Sequence, residues 1–326
     1  MVSPTSSDGA KCAVIPMSPA SYSLVGWRAG RIVVVAATFP SCETARYQLL
    51  SADPAVGTWT GGTVFDDGMP DRAATDGRTV AFPLQDRVVV SEASGSTRSI
   101  LRPGDMGPDW DAYGLPALPG GGYLVVGADR LLQIASDGSE MTSDPLPAGY
   151  VAVAPTSDPD RFILAPTVDA RREYGLSTRA PFRTYLWDRA SGSLRLLLSG
   201  VTAVSAATPQ TGLAFLVVTT AGATTWSLVA ADGRLRTVAT TAGWATLSPD
   251  GRLAVRTQSP DLPSVPTVLL DPRSDRVIAA ISSLGASGTA WDGEEAATLV
   301  QPRPPVAGQA AVLLVDGARI SRLELP

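Results

Sequence analysis

Residues 244–281 read WATLSPDGRLAVRT, a polar loop, and then TVLLDPRSDRVIAAI. The first half contains a strand end, the turn Ser248-Pro249-Asp250-Gly251, and a new alternating run through Leu253 and Val255. Proline presets the turn, aspartate bonds its own backbone and glycine takes the left-handed position, so the segment predicts a hairpin by mechanism. The second half repeats the idea around Pro272-Arg273-Ser274-Asp275. Four short strands of this kind cannot bury both faces of their sheet alone, so copies must stack or close into a ring.

Working outward, the same unit recurs along the chain. Unit one (about 22–62) reads YSLVGW, RIVVVAA, RYQLLSA and GTWTGG. Units two to five begin near Arg72, Tyr113, Tyr150 and Val201, and unit seven near Gly288. Turns between the third and fourth strands carry DPAVG, ASGS, SDGS, ASGS, ADGR, PRSD and DGAR, a regular Asp/Ser-Gly punctuation. Seven units predict an all-β, single seven-bladed β-propeller of four-stranded antiparallel blades over residues 11–326, with six or eight blades as alternatives. Residues 1–10 are expected to be a polar tail or linker. Unit seven supplies all four of its own strands, so KCAVIP (11–16) is expected beside the seam between units seven and one rather than inside the last blade.

Composition narrows the chemistry. Apolar residues are 44% and charged residues 17% of 326, with 31 glycines and 27 prolines, which suits short strands and tight turns. There is no histidine, which removes Ser-His-Asp and Cys-His nucleophile pairs, histidine-based metal sites and the commonest general base near neutral pH. One lysine, Lys11, stands against 25 arginines, and asparagine is absent. A net charge of −5 argues against a nucleic-acid partner. No run of about 20 apolar residues is present, so neither a membrane helix nor a signal peptide is expected within the chain as given. A removed anchor or signal ahead of residue 1 and a natural cytosolic tail are both open.

Leu247 to Val255 resembles the Ser-Pro-Asp-Gly motif of TolB-type, WD40-like propeller repeats, and Trp187-Asp188 resembles the Trp-Asp step of WD40 blades. The motif is complete in one unit and reduced in the others; the unit pattern covers about 22–325. The Gly-His step of WD40 repeats has no counterpart. The resemblance implies a propeller scaffold of a kind that often binds proteins, and it transfers no catalytic residue.

The two cysteines, Cys12 and Cys42, fall at one seam. A disulfide there closes a loop of roughly 30 residues, worth about 3 kcal/mol in the chain-entropy model, and implies an oxidising, extracytoplasmic setting; two free buried thiols are the alternative. The long connections, 39–45, 65–71, 104–113, 168–182, 258–266 and 302–309, are second-to-third-strand loops or blade links, which emerge on one face, the expected interaction surface. On it, Arg171, Arg172, Tyr174 and Arg179 are candidate anchors for a protein partner, and Asp109, Trp110 and Tyr113 a candidate ligand site. The acidic links (Asp66, Asp67, Asp71; Asp105, Asp109, Asp111) lack EF-hand spacing, so no metal and no cofactor is expected. With Glu294 and Glu295 they are the only carboxylates that could form a glycosidase- or lyase-like pair. The preferred reading is a monomeric, non-enzymatic binding or scaffolding wheel in an extracytoplasmic bacterial setting, with the carboxylate-dependent enzyme as alternative.

Overall fold

Why the second strand of each unit is so apolar becomes plain in the computed structural model. It describes residues 21–38, 45–66, 68, 70–84, 87–99, 115–126, 130–167, 181–205, 214–220, 223–241, 245–256, 266–282, 286–301 and 309–326. Blade 1 consists of β1 (Ser21–Arg28), β2 (Arg31–Thr38), β3 (Arg46–Ala52) and β4 (Trp59–Phe65). Blade 2 follows a 3-10 turn (Pro70–Arg72) with β5 (Ala74–Thr75), β6 (Val80–Pro83), β7 (Val88–Ser91) and β8 (Thr97–Ser99). Blade 3 has β9 (Tyr123–Val126), β10 (Arg130–Ile134) and β11 (Glu140–Pro145). Blade 4 has β12 (Tyr150–Pro155), β13 (Arg161–Pro166), β14 (Phe182–Asp188) and β15 (Ser193–Val201). Blade 5 has β16 (Ala203–Ser205), β17 (Ala214–Thr220), β18 (Ala223–Val229) and β19 (Leu235–Thr241). Blade 6 has β20 (Ala245–Leu247), β21 (Ala254–Arg256), β22 (Thr267–Asp271) and β23 (Arg276–Ser282). Blade 7 has β24 (Ala286–Asp292), β25 (Glu295–Val300), β26 (Ala311–Asp316) and β27 (Arg319–Glu324).

Each sheet is a meander of consecutive antiparallel strands, giving the seven-bladed propeller expected rather than six or eight blades. Blade 3 departs from the pattern. Its innermost strand is reduced to one bridge, Ala117 to Tyr123, flanked by bonds from Leu118 N to Gly122 O (2.9 Å) and Leu124 N to Pro116 O (2.8 Å). Pro116 and Pro119 have no N–H to donate, so the ladder cannot lengthen there.

Side chains on β2 alternate between two neighbours. Val33 and Val35, with Leu49 and Phe65, pack on Val80, Phe82 and Val89 of blade 2. Ile32 and Val34 pack on Ala297, Leu299, Val312 and Leu314 of blade 7. A middle strand sandwiched on both faces must therefore be a continuous apolar run. Each such side chain contributes about 1.5–3 kcal/mol by burial. The rings of Phe65 and Phe82 stack across the seam with centroids 4.3 Å apart.

Among the described residues, the ring closes without a shared strand. Blades 1 and 7 are each made of their own consecutive strands. Tyr22 N donates to Gln301 Oε1 (3.1 Å), Gln301 Nε2 donates to Tyr22 O (2.6 Å), and Trp59 Nε1 donates to Glu324 O (2.8 Å). Tyr22 Oη donates to the carbonyl of Pro326. Residues 11–16, expected at this seam, lie outside the described residues.

The meander also fixes two faces. First-to-second and third-to-fourth turns lie on one rim, here the hairpin face; second-to-third connections and blade links lie on the other, the link face. The strand ends flanking 39–44, 100–114, 168–180, 257–265 and 302–308 are all on the link face. The strand ends that flank 206–213, the end of β16 and the start of β17, are the exception on the hairpin face.

Candidate functional site

Asp109, Trp110, Tyr113, Arg171, Arg172, Tyr174 and Arg179 lie outside the described residues, as do Cys12 and Cys42. Of the proposed carboxylates, Asp66 is exposed and ion-paired to Arg46 at 3.0 Å on the link face. Glu294 and Glu295 sit at the hairpin rim of blade 7, the length of a strand away. Asp66 therefore does not face Glu294 or Glu295, while Asp67, Asp105, Asp109 and Asp111 and the side chain of Asp71 lie outside what the structure describes. Glu295 meets other partners: in register it lies between Asp292 and Asp316, three carboxylates abreast across β24, β25 and β26. Burial, then Asp316 and Asp292, raise the Glu295 pKa. Among the described residues, no group of three or more His, Cys, Asp or Glu side chains is placed to hold a metal ion.

The hairpin face is built from turns that satisfy their own polar atoms. In blade 6 Ser248 Oγ donates to Asp250 Oδ1 (2.7 Å) and accepts from Leu253 N (2.9 Å). In blade 4 Thr156 Oγ1 takes the serine role, accepting from Asp158 N (3.1 Å) and donating to Arg161 O (2.9 Å). In blade 2 the aspartate turns outward to its neighbour. Asp76 Oδ1 accepts from Arg78 N (2.9 Å) and Thr79 N (2.8 Å), while Oδ2 accepts from Gly122 N (2.8 Å) and Ser136 Oγ of blade 3. Burial raises the Asp76 pKa, but the bonds from Ser136, Thr79, Gly122 and Arg78 outweigh it and leave the carboxyl below its usual range. The fully buried Tyr123 hydroxyl sits against Thr79 Oγ1 (2.9 Å), and burial pushes its pKa far upward.

Beside this closed network lies a buried group with an unpartnered atom. Arg28 ends β1 at the hairpin rim of the central axis, and only 6% of it is exposed. Its strand face is identified by Gly26, two residues earlier: a Cβ there would lie 2.9 Å from Thr75 Cγ2 of blade 2 and 3.7 Å from Ala290 Cβ of blade 7. Arg28 Nε is enclosed and has no hydrogen-bond partner, unlike Arg31, its register partner, which reaches Thr60 Oγ1 at 3.0 Å. Burial pulls the Arg28 pKa down, and Arg31 adds to this, against an opposing effect of Tyr123. Sequence reading passed over Arg28, Asp292 and Asp316; cross-strand register around the two short hairpins is the signal that would have aligned them.

No protein-family profile and no curated protein matches the chain. Solved structures do. An acylaminoacyl peptidase of Pyrococcus horikoshii is similar over 94% of this chain and 52% of its own, with TM-score 0.57 and 14% identity. A puromycin hydrolase mutant complexed with PGG matches 94% of this chain and 53% of its own, with TM-score 0.58 and 16% identity. The β-propeller domain of the trilobed protease from Pyrococcus furiosus, described as having an open velcro topology, matches 93% of this chain and 97% of its own, with TM-score 0.59 and 11% identity. The chain thus spans about half the length of the first and second of these. A TolB from Acinetobacter baumannii is also similar, at a TM-score of 0.42 that carries no weight. Identities this low show the fold, a propeller, and nothing specific to WD40 repeats. They also correct the expectation of a pure binding or scaffolding wheel, because the similar solved structures include an acylaminoacyl peptidase, a puromycin hydrolase and the propeller domain of a protease.

Proposed function

We propose that this wheel works with a peptidase module, on the same polypeptide or on another, and admits and aligns peptide substrate rather than cutting it. The observation that carries the reading is the ring closure. Among the described residues, blades 1 and 7 meet through side chains and apolar packing with no common strand, and a similar propeller whose own description is an open velcro topology belongs to a protease. A chain without histidine cannot itself supply a Ser-His-Asp triad, so the chemistry is assigned to the companion module. An extracytoplasmic location goes with this proposal and rests on Cys12 and Cys42 as a disulfide. No helix among the described residues is long and apolar enough to cross a membrane.

The test is binding of short, unstructured, fluorophore-labelled peptides to the isolated chain, followed by anisotropy, with a folded globular protein of similar charge as comparator. Peptide binding competed by unlabelled peptide, with the folded protein excluded, is the expected result. Equal binding of both, or none of either at millimolar peptide, overturns the proposal.

A further inference from the structure

We propose that the seam between blades 7 and 1 carries a proton-operated clasp: Asp292, Glu295 and Asp316, when ionised, hold the hairpin end of the seam loose, and a proton taken up by the row lets it tighten. The inference stands independently of the peptide-admitting reading. The carboxylates oppose one another directly in register, Asp292 to Glu295 and Glu295 to Asp316, and like charges so placed are destabilising. Alternation along β25 fixes their face. Ala297 and Leu299 pack with Trp27 and Ile32 of blade 1, whereas Ala296 and Val300 pack with blade 6. Glu295 shares the first face, and its register partners share it too. The polar ties to blade 1 end elsewhere, on Gln301, Glu324 and Pro326, at the link ends of the blade 7 strands. At the hairpin end the seam is unfinished: Trp27, 6% exposed, leaves Nε1 without a partner. The other charged groups there have neighbours of their own. Arg319 stands beside Asp316 in register, Arg252 lies 3.8 Å from Glu294, Arg31 bonds Ser51 and Thr60, Asp53 accepts from Ala55 N, and Arg28 answers to Tyr123 and Arg31. Burial, then Asp316 and Asp292, raise the Glu295 pKa. A carboxyl whose folded pKa exceeds its unfolded value of about 4.3 contributes stability below that value and loses it as pH rises through the folded pKa. The seam is therefore tightest in mild acid, the opposite sense to Asp76.

The test is amide hydrogen exchange at about pH 4.5 and about pH 7.5, corrected for the intrinsic pH dependence of exchange, on the wild type, Glu295→Gln and Asp316→Asn. Expected for the wild type is protection at Trp27, Ile32 and Ala296 about three- to ten-fold higher in acid, with β13 unchanged. Glu295→Gln, which keeps the shape and cannot ionise, is expected to hold the acid level of protection at both pH values, and Asp316→Asn to show a smaller pH change than the wild type. A wild-type change that is absent, reversed in sign or equally large in β13 overturns the clasp, as does a Glu295→Gln variant that keeps the full wild-type change.

Discussion

Replacing Asp76 by alanine removes one acceptor group from five donors that hold the turn of blade 2 and tie it to blade 3. The magnitude follows from what is left behind. Gly122 N and Ser136 Oγ, on the far side of the seam, and Thr79 N lose partners at a position where the carboxylate is only 4% exposed. An unsatisfied buried donor costs about 1–3 kcal/mol. Allowing for water entering the vacated space, the sum is roughly 3–5 kcal/mol, a large share of the 5–15 kcal/mol typical of a native protein. At about 2 °C per kcal/mol for a chain of this size, the melting midpoint should fall by roughly 6–10 °C. Asp76→Asn keeps one oxygen but turns an amide N–H toward an existing donor, so it should fall part of the way. The pH dependence has a definite sign. A carboxyl whose folded pKa lies below the unfolded value of about 4 contributes its stability above that value and loses it as pH falls through the folded pKa. The wild type should therefore lose stability below about pH 4 by an increment that Asp76→Asn lacks. Thermal melts followed by tryptophan fluorescence across this pH range are the assay. An Asp76→Ala variant within about 1 kcal/mol of wild type would show that the staple is ornamental and refute the reasoning.

Two more perturbations separate local causes. Gly122→Ala places a Cβ 2.1 Å from Ile134 O at a φ of +89°, whereas Gly30→Ala, at φ +74°, meets nothing within 4 Å; melts should show about 3 kcal/mol or more lost for the first and about 1 kcal/mol for the second. Tyr22→Phe removes the hydroxyl bonded to Pro326 O, at about 1 kcal/mol. Hydrogen exchange should then rise at the Leu325 amide, which bonds Ala310 O at 3.0 Å, and stay unchanged in β13; uniform exchange across all blades would contradict a localised seam.

The fold was legible because its physics is local. A strand buried on both faces reads as an apolar run, as β2 and β13 do, and a turn that bonds itself reads as Ser, Thr or Asp before Gly. The motif of blade 6 looks degraded elsewhere only in spelling: Thr156 and Asp158 perform in blade 4 what Ser248 and Asp250 perform in blade 6. In the inner strand of blade 3, Pro116 and Pro119 withhold two N–H donors from the ladder, a local signal that the apolar pattern does not carry. Across blades the sequence is silent. Nothing around Asp76 announces that its second oxygen belongs to Gly122 and Ser136, 46 and 60 residues away. Nor does Glu295 announce Asp316 beside it, since pairing depends on register across a long connection.

The same contrast explains why unmatched donors gather where they do. Blades 2, 4 and 6 turn their inner hairpins with Asp, Ser or Thr side chains that absorb nearby N–H groups. Blades 1 and 7, which meet at the seam lacking a shared strand, turn through two residues each, Ala29-Gly30 and Gly293-Glu294, and Ala29 even adopts φ +49° to do so. Turns this short carry no side-chain acceptor inward. Of the six buried side-chain donors without partners among the described residues, three, Trp27 Nε1, Arg28 Nε and Trp291 Nε1, accordingly fall at the tips of β1 and β24. A two-residue turn thus leaves the buried donors at its tip without the side-chain acceptor that Asp76, Thr156 and Ser248 supply in blades 2, 4 and 6.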